Sequence, residues 1–142
     1  MSETQCNTTA RLKPVNPPTA SYAGLSQAMV VRSGDVMFLT GHCSVGADGE
    51  IIEGDFETQL DATFQNIGRT LAAAGADFAS AVKFTYYVVD YRPEMLAALK
   101  KVRNKYIDQS APPASTFVAV AALYDPRLVI EIDGIVAISS KE

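Results

Sequence analysis

Histidine occurs once in this chain and cysteine twice, so the side chains that most often hold metals or staple small domains are nearly missing. His42 stands alone, Cys6 lies in a polar N-terminal segment, and Cys43 follows an expected strand. With no Cys-x-x-Cys or His-x-x-x-His spacing, neither a zinc site nor a disulfide framework is expected, and both cysteines read as free thiols. No apolar run approaches the ~20 residues that a membrane-crossing helix needs, so no membrane partner is expected. The first twenty residues hold three prolines and lack the apolar core of a secretory signal, which points to a cytoplasmic location. Clustered positive charge is missing too. Twelve Lys and Arg against sixteen Asp and Glu leave a formal charge of −4, which argues against a nucleic-acid partner. The densest basic run, Lys100-Lys101-Val102-Arg103-Asn104-Lys105, wraps around an expected helix and reads as a solvated face.

What is present fits one globular domain: 142 residues, 48% hydrophobic and 20% charged. Residues 1–20 are expected to form an extended N-terminal arm, because Pro14, Pro17 and Pro18 forbid regular helix; residues 21–142 form the domain. Ala28 to Arg32, Ser33-Gly34-Asp35 and Val36 to Thr40 read as a β-hairpin. From Phe56 the period changes. Phe56, Leu60, Phe64, Ile67 and Leu71 make the stripe of an amphipathic helix, with Asp55 as N-cap and Gly75 as a left-handed stop. Ser80 to Asp90 returns to strand chemistry. A second helix follows Pro93, with Met95, Leu99, Val102 and Tyr106 as its buried stripe, and strands near Ser115 to Ala122 and Leu128 to Ile138 complete the order. The fold class is therefore α+β, a mixed sheet with two helices on one face. Two helices cover only one face, so a partner subunit is expected on the other.

The last strand carries two acids, Glu131 and Asp133, on one face of an aliphatic segment. A buried carboxylate without a partner is costly, so these residues have a use, a cationic partner or an exposed face.

In this order, several segments together resemble the reactive intermediate deaminase family, also called YjgF-like or L-PSP endoribonuclease-like. They are Gly24-Leu25-Ser26-Gln27-Ala28, Phe38-Leu39-Thr40-Gly41-His42, Gly54-Asp55-Phe56-Glu57-Thr58-Gln59, Asn66-Ile67-Gly68-Arg69, Pro113-Ala114-Ser115-Thr116 and Ile130-Glu131-Ile132-Asp133-Gly134. The resemblance implies a chorismate-mutase-like homotrimer with a small-molecule ligand in each inter-subunit cleft. It also implies hydrolysis of imines or enamines to keto compounds and ammonia, with no cofactor and no metal.

Carried across residue by residue, Glu131 falls at the family's water-handling glutamate, and Thr40 and Gly41 at its Ser-Gly pair. Four positions depart. Ser115 stands where the family has the arginine that binds a substrate carboxylate, Leu25 where it has a tyrosine, His42 where it has a glutamine, and Phe117 where a cysteine is often found. A hydroxyl cannot make the bidentate, charge-assisted pair of a guanidinium, and losing a bond of about 1.5–3 kcal/mol weakens binding about tenfold to a hundredfold. Simple imino acids are therefore expected to be poor substrates, and a larger compound of the aminomuconate type is compatible with Phe117. Ser115 is either a substrate hydrogen bonder or a small residue left where arginine was. His42 is either a proton shuttle or a histidine capping a strand end. A non-catalytic trimer that binds a small molecule is the alternative function. A ribonuclease is least compatible with the acidic charge.

Overall fold

Burial alternates along the two central strands: Phe84, Tyr86 and Val88 on one, and Ile130, Ile132 and Val136 on the other, are buried, while most residues between them are partly covered. The computed structural model describes residues 11–18 and 22–140. In chain order the elements are β1 (Leu12–Val15), β2 (Ala28–Val31), β3 (Asp35–Cys43), α1 (Phe56–Ala73), a short 3₁₀ turn (Phe78–Ser80), β4 (Ala81–Val89), α2 (Met95–Arg103), β5 (Ala114–Val120) and β6 (Ile130–Ile138). Four strands form one mixed sheet in the order β3-β6-β4-β5. Only β4 and β5 run parallel, joined by the α2 crossover.

The helices form where the apolar spacing expects them. All five stripe residues of α1 are buried, and Asp55 caps its start by accepting the Thr58 N–H at 2.8 Å. At its end Ala76 N–H donates to Leu71 O at 2.9 Å and Gly75 N–H to Ala72 O at 3.0 Å, with Gly75 at φ +68°, a Schellman closure that only glycine adopts without strain. Both helices lie on one face of the sheet. At the centre of that layer the Phe64 ring stacks on Tyr106 at 5.0 Å and meets Phe84 and Tyr86 edge-on.

Two expectations are corrected. β2 and β3 do not pair as a hairpin: β2 pairs with β1, Leu12 opposite Val31, while β3 pairs with β6. The Ser33-Gly34 link is a corner between two sheets, because both strands find partners distant in sequence. Part of the expected arm is also docked. Leu12–Val15 is a paired strand with Pro14 opposite Met29, and Arg11 donates to Ala137 O at 3.2 Å. Cys6 and the rest of the expected arm, apart from residues 11–18, lie outside the described residues.

Candidate active site

Cross-strand pairing puts Glu131 opposite Tyr87 and Asp133 opposite Thr85, on the sheet face that no helix covers. A bulge in β3 shapes the space above them. Leu39 opposes Gly134 and His42 opposes Ile132, so Thr40 and Gly41 together stand against Asp133 alone. The Glu131 side chain folds over Gly41, and a Cβ at that glycine would collide with the carboxylate. Cys43, opposite Glu131, donates its Sγ–H to Glu131 Oε1 at 3.6 Å. Burial first, and then the negative Glu131, push the Cys43 thiol up to about 12, so it is a neutral donor and not a nucleophile. Asp133 accepts from the Tyr87 hydroxyl at 3.0 Å, and that bond raises the Tyr87 pKa.

His42 faces the other way. It is buried, with Nδ1 2.7 Å from the Thr40 carbonyl and Nε2 2.7 Å from the Thr70 hydroxyl of α1. A carbonyl only accepts, so Nδ1 donates to it, and Nε2 is left paired with Thr70. Nδ1 closes onto the strand's own Thr40 while Nε2 ties β3 to α1, and the ring lies across the sheet from Glu131. The geometry is therefore that of a strand-end clasp, not of a proton shuttle.

The remaining expected residues gather at the β5 edge. Ser115 stands opposite Phe84 and Phe117 opposite Tyr86, which sets both on the helix-covered face. Phe117 packs against Tyr86 and Tyr91, with ring centroids 6.2 and 6.0 Å away. Leu25 arrives beside them because Ser26 bridges Ala114, its N–H donating to Pro113 O at 3.0 Å and its hydroxyl to Pro112 O at 2.6 Å. Within one protomer the expected site is thus two groups: Glu131 with Thr40 and Gly41 on the bare face, and Ser115, Phe117 and Leu25 on the covered face.

Arg103 joins the second group, and the reading of the basic run as a solvated face is corrected here. Its side chain is buried, with the residue only 8% exposed, and its guanidinium lies against Gly24, where a Cβ would collide with it. The signal was in the spacing. Arg103 follows Leu99 by four residues, so it belongs to the buried stripe of α2 despite its charge. Gln59 was missed as well. Fully buried, it donates to Arg127 O at 2.7 Å and accepts from Val129 N–H at 2.9 Å, fixing the loop that leads into β6 and Glu131. A groove of about 460 Å³ between α1 and α2 lies elsewhere. Its charged walls include the Lys105–Asp61 pair at 2.7 Å, and Glu57 on its rim pairs with Lys101.

A mixed sheet with two helices on one face, a glutamate over a glycine bulge and a Pro-Ala-led edge strand define a class. The chain belongs to the endoribonuclease L-PSP family, also known as the Rid or YjgF family, whose model matches residues 16–138. It is similar to Protein DfrA of Myxococcus xanthus, 36% identical over 112 residues that make up 78% of this chain and 82% of that protein. It is also similar to the 2-iminobutanoate/2-iminopropanoate deaminase of Capra hircus, 27% identical over 79% of this chain and 80% of that one. Among solved structures, the Rid-family protein YyfB of Yersinia pestis superposes with a TM-score of 0.85 at 30% identity, covering 90% of this chain and 99% of that chain. Its family and these relatives support a deaminase-like function toward reactive imines. No helix among the described residues is long and apolar enough to cross a membrane.

Proposed function

We propose that the protein is a homotrimer that hydrolyses a reactive imine or enamine to a carbonyl compound and ammonia in a cleft between subunits. One observation carries the reaction: the Glu131 carboxylate is seated over the Gly41 backbone, on the face that bears no helix. An enamine first tautomerises to the imine, its N–H proton being lost as its β-carbon gains one. Glu131 takes a proton from water as the water oxygen bonds to the C=N carbon, and returns it to the nitrogen. In the resulting carbinolamine Glu131 moves the hydroxyl proton to the amine, the C–N bond breaks, and ammonia leaves as the carbonyl forms. No redox partner is needed. His42 is assigned no step here, because its ring lies on the helix-covered face and is bonded to Thr40 and Thr70 of the same protomer.

Two further observations support an assembled site. Phe38, 76% exposed, stands opposite Ile135 on the bare face, and a large apolar surface of that kind is what a subunit interface covers. In addition, Glu131 and the Ser115 edge lie on opposite faces of one sheet, so a ligand touching both must lie between two copies. A trimer that binds without turnover is the second reading, favoured by the neutral Ser115. The test is ammonia or keto-acid release from 2-iminobutanoate generated in situ. Wild-type turnover that falls about a hundredfold or more in Glu131→Gln supports the enzyme, and no release above the uncatalysed rate by folded wild-type protein, from 2-iminobutanoate or from an aminomuconate-type enamine, overturns it.

A further inference from the structure

Arg103 is the chain's least explained charge. The residue is 8% exposed, and among the described residues no carboxylate pairs with it. Its Nε is buried with no hydrogen-bond partner among the described residues. Its one hydrogen bond among the described residues, from Nη2 to Asn104 Oδ1, is a long 3.4 Å. Burying a guanidinium without an anion is among the costlier arrangements a protein can hold, and hydrophobic replacement often stabilises such a site. A methionine at this position would complete the α2 stripe. An arginine there has a use beyond packing.

Its surroundings say which use. The guanidinium rests on the Gly24 backbone, next to Leu25, and Gly24 has φ +84°, so the seat depends on glycine both for its conformation and for its missing Cβ. Ser26, two residues on, bridges Ala114 and so fastens that seat to the start of β5, beside Ser115. Arg103 also lies within electrostatic reach of Tyr86, where its charge offsets part of the pKa rise that burial imposes on the phenol. Tyr86 stands opposite Phe117, and Phe84 opposite Ser115, which puts all four on the face that Arg103 approaches. Through Gly24 and Ser26 the guanidinium is therefore linked to the strand edge that carries the neutral hydroxyl, supplied by a helix end in place of the strand.

We propose that Arg103 is a specificity-determining residue that binds the carboxylate of the ligand at the β5 edge, so that the substrate is a carboxylate-bearing imine and not a neutral one. This rests on the deaminase reading for the reaction, but not for the binding. A planar guanidinium receives a carboxylate through paired N–H groups, and among the described residues no acid competes for those of Arg103. The expectation that simple imino acids bind poorly then reverses. Their anchor has moved in the sequence.

The experiment compares the full-length wild type, Arg103→Met and Arg103→Lys, using 2-oxobutanoate and its methyl ester as binding probes and 2-iminobutanoate as substrate. The expected result is that 2-oxobutanoate, but not its ester, raises the melting temperature of the wild type and leaves that of Arg103→Met unmoved. KM for 2-iminobutanoate should rise about tenfold to a hundredfold in Arg103→Met, and less in Arg103→Lys, which keeps a charge but not the fork. Arg103→Met should melt no lower than the wild type without ligand. A keto-acid shift of equal size in wild type and Arg103→Met, or an unchanged KM, overturns the proposal even if turnover is intact. If Arg103→Met does not fold, an Arg103→Lys protein with wild-type KM and wild-type keto-acid shift overturns it too. An Arg103-dependent shift in a protein without turnover upholds the anion site and rejects the deaminase.

Discussion

The two faces of the sheet differ in what they hide. The helix-covered face is closed by aromatics around Phe64, and the polar groups it takes in are mostly paired: His42 with Thr40 and Thr70, Gln59 with Arg127 and Val129. Arg103 at its edge is the exception. The bare face holds partly covered acids, Glu131 and Asp133, next to exposed Phe38, and among the described residues each acid has only a neutral donor, Cys43 or Tyr87. An unsatisfied cation on one side and acids without cations on the other cannot meet inside one copy. On the proposed reading, the two halves of a charged site lie on opposite faces of the sheet and meet only where two copies join.

Breaking the covered face should give the largest effect on stability. Phe64→Ala removes the ring that four other aromatics contact and should cost about 3–5 kcal/mol, read as a lowered denaturant midpoint at unchanged slope. On the bare face the same logic gives an activity effect instead. Gly41→Ala forces the Glu131 carboxylate aside and should lower turnover by about a hundredfold while the melting temperature stays close to that of the wild type. A Gly41→Ala protein with full activity would show that the seat of Glu131 is not part of the chemistry.

A smaller effect separates the faces by pH. The Cys43 thiol ordinarily titrates near 9 and is held up to about 12, chiefly by burial and then by Glu131. The folded state therefore keeps a proton that the unfolded chain gives up, and the stability tied to this group is full below pH 9 and declines as pH rises from 9 toward 12. Replacing the thiol, as in Cys43→Ala, should flatten the first part of that decline. In the folded wild type at pH 8, Cys43 should resist alkylation, checked by mass spectrometry of the peptide that carries it; rapid labelling would contradict the buried, neutral thiol.

Much of the covered face was legible in the sequence because it rests on local period. The α1 stripe, the Asp55 cap and the Gly75 stop all follow from spacing and backbone preference within one element. Strand pairing was not, since β2 and β3 look like a hairpin until β1 and β6, far away in the chain, compete for their edges. Glu131 and Gly41 were legible as a pair through the family motif. Arg103 was missed for a different reason. Three cations crowd around it, and composition outweighed the four-residue step from Leu99 that assigns it to the buried side.

On the proposed reading a working site needs Glu131 from one copy and the Arg103 edge from another, and mixed assemblies of two impaired variants put that to the test. Arg103→Met and Glu131→Gln chains, each assayed alone under limiting substrate and then unfolded and refolded together, should recover activity in the mixture. In a random mixture about a quarter of the shared sites contain both native residues, so about a quarter of the wild-type rate should return. A mixture no more active than the mean of its two parents would contradict the account.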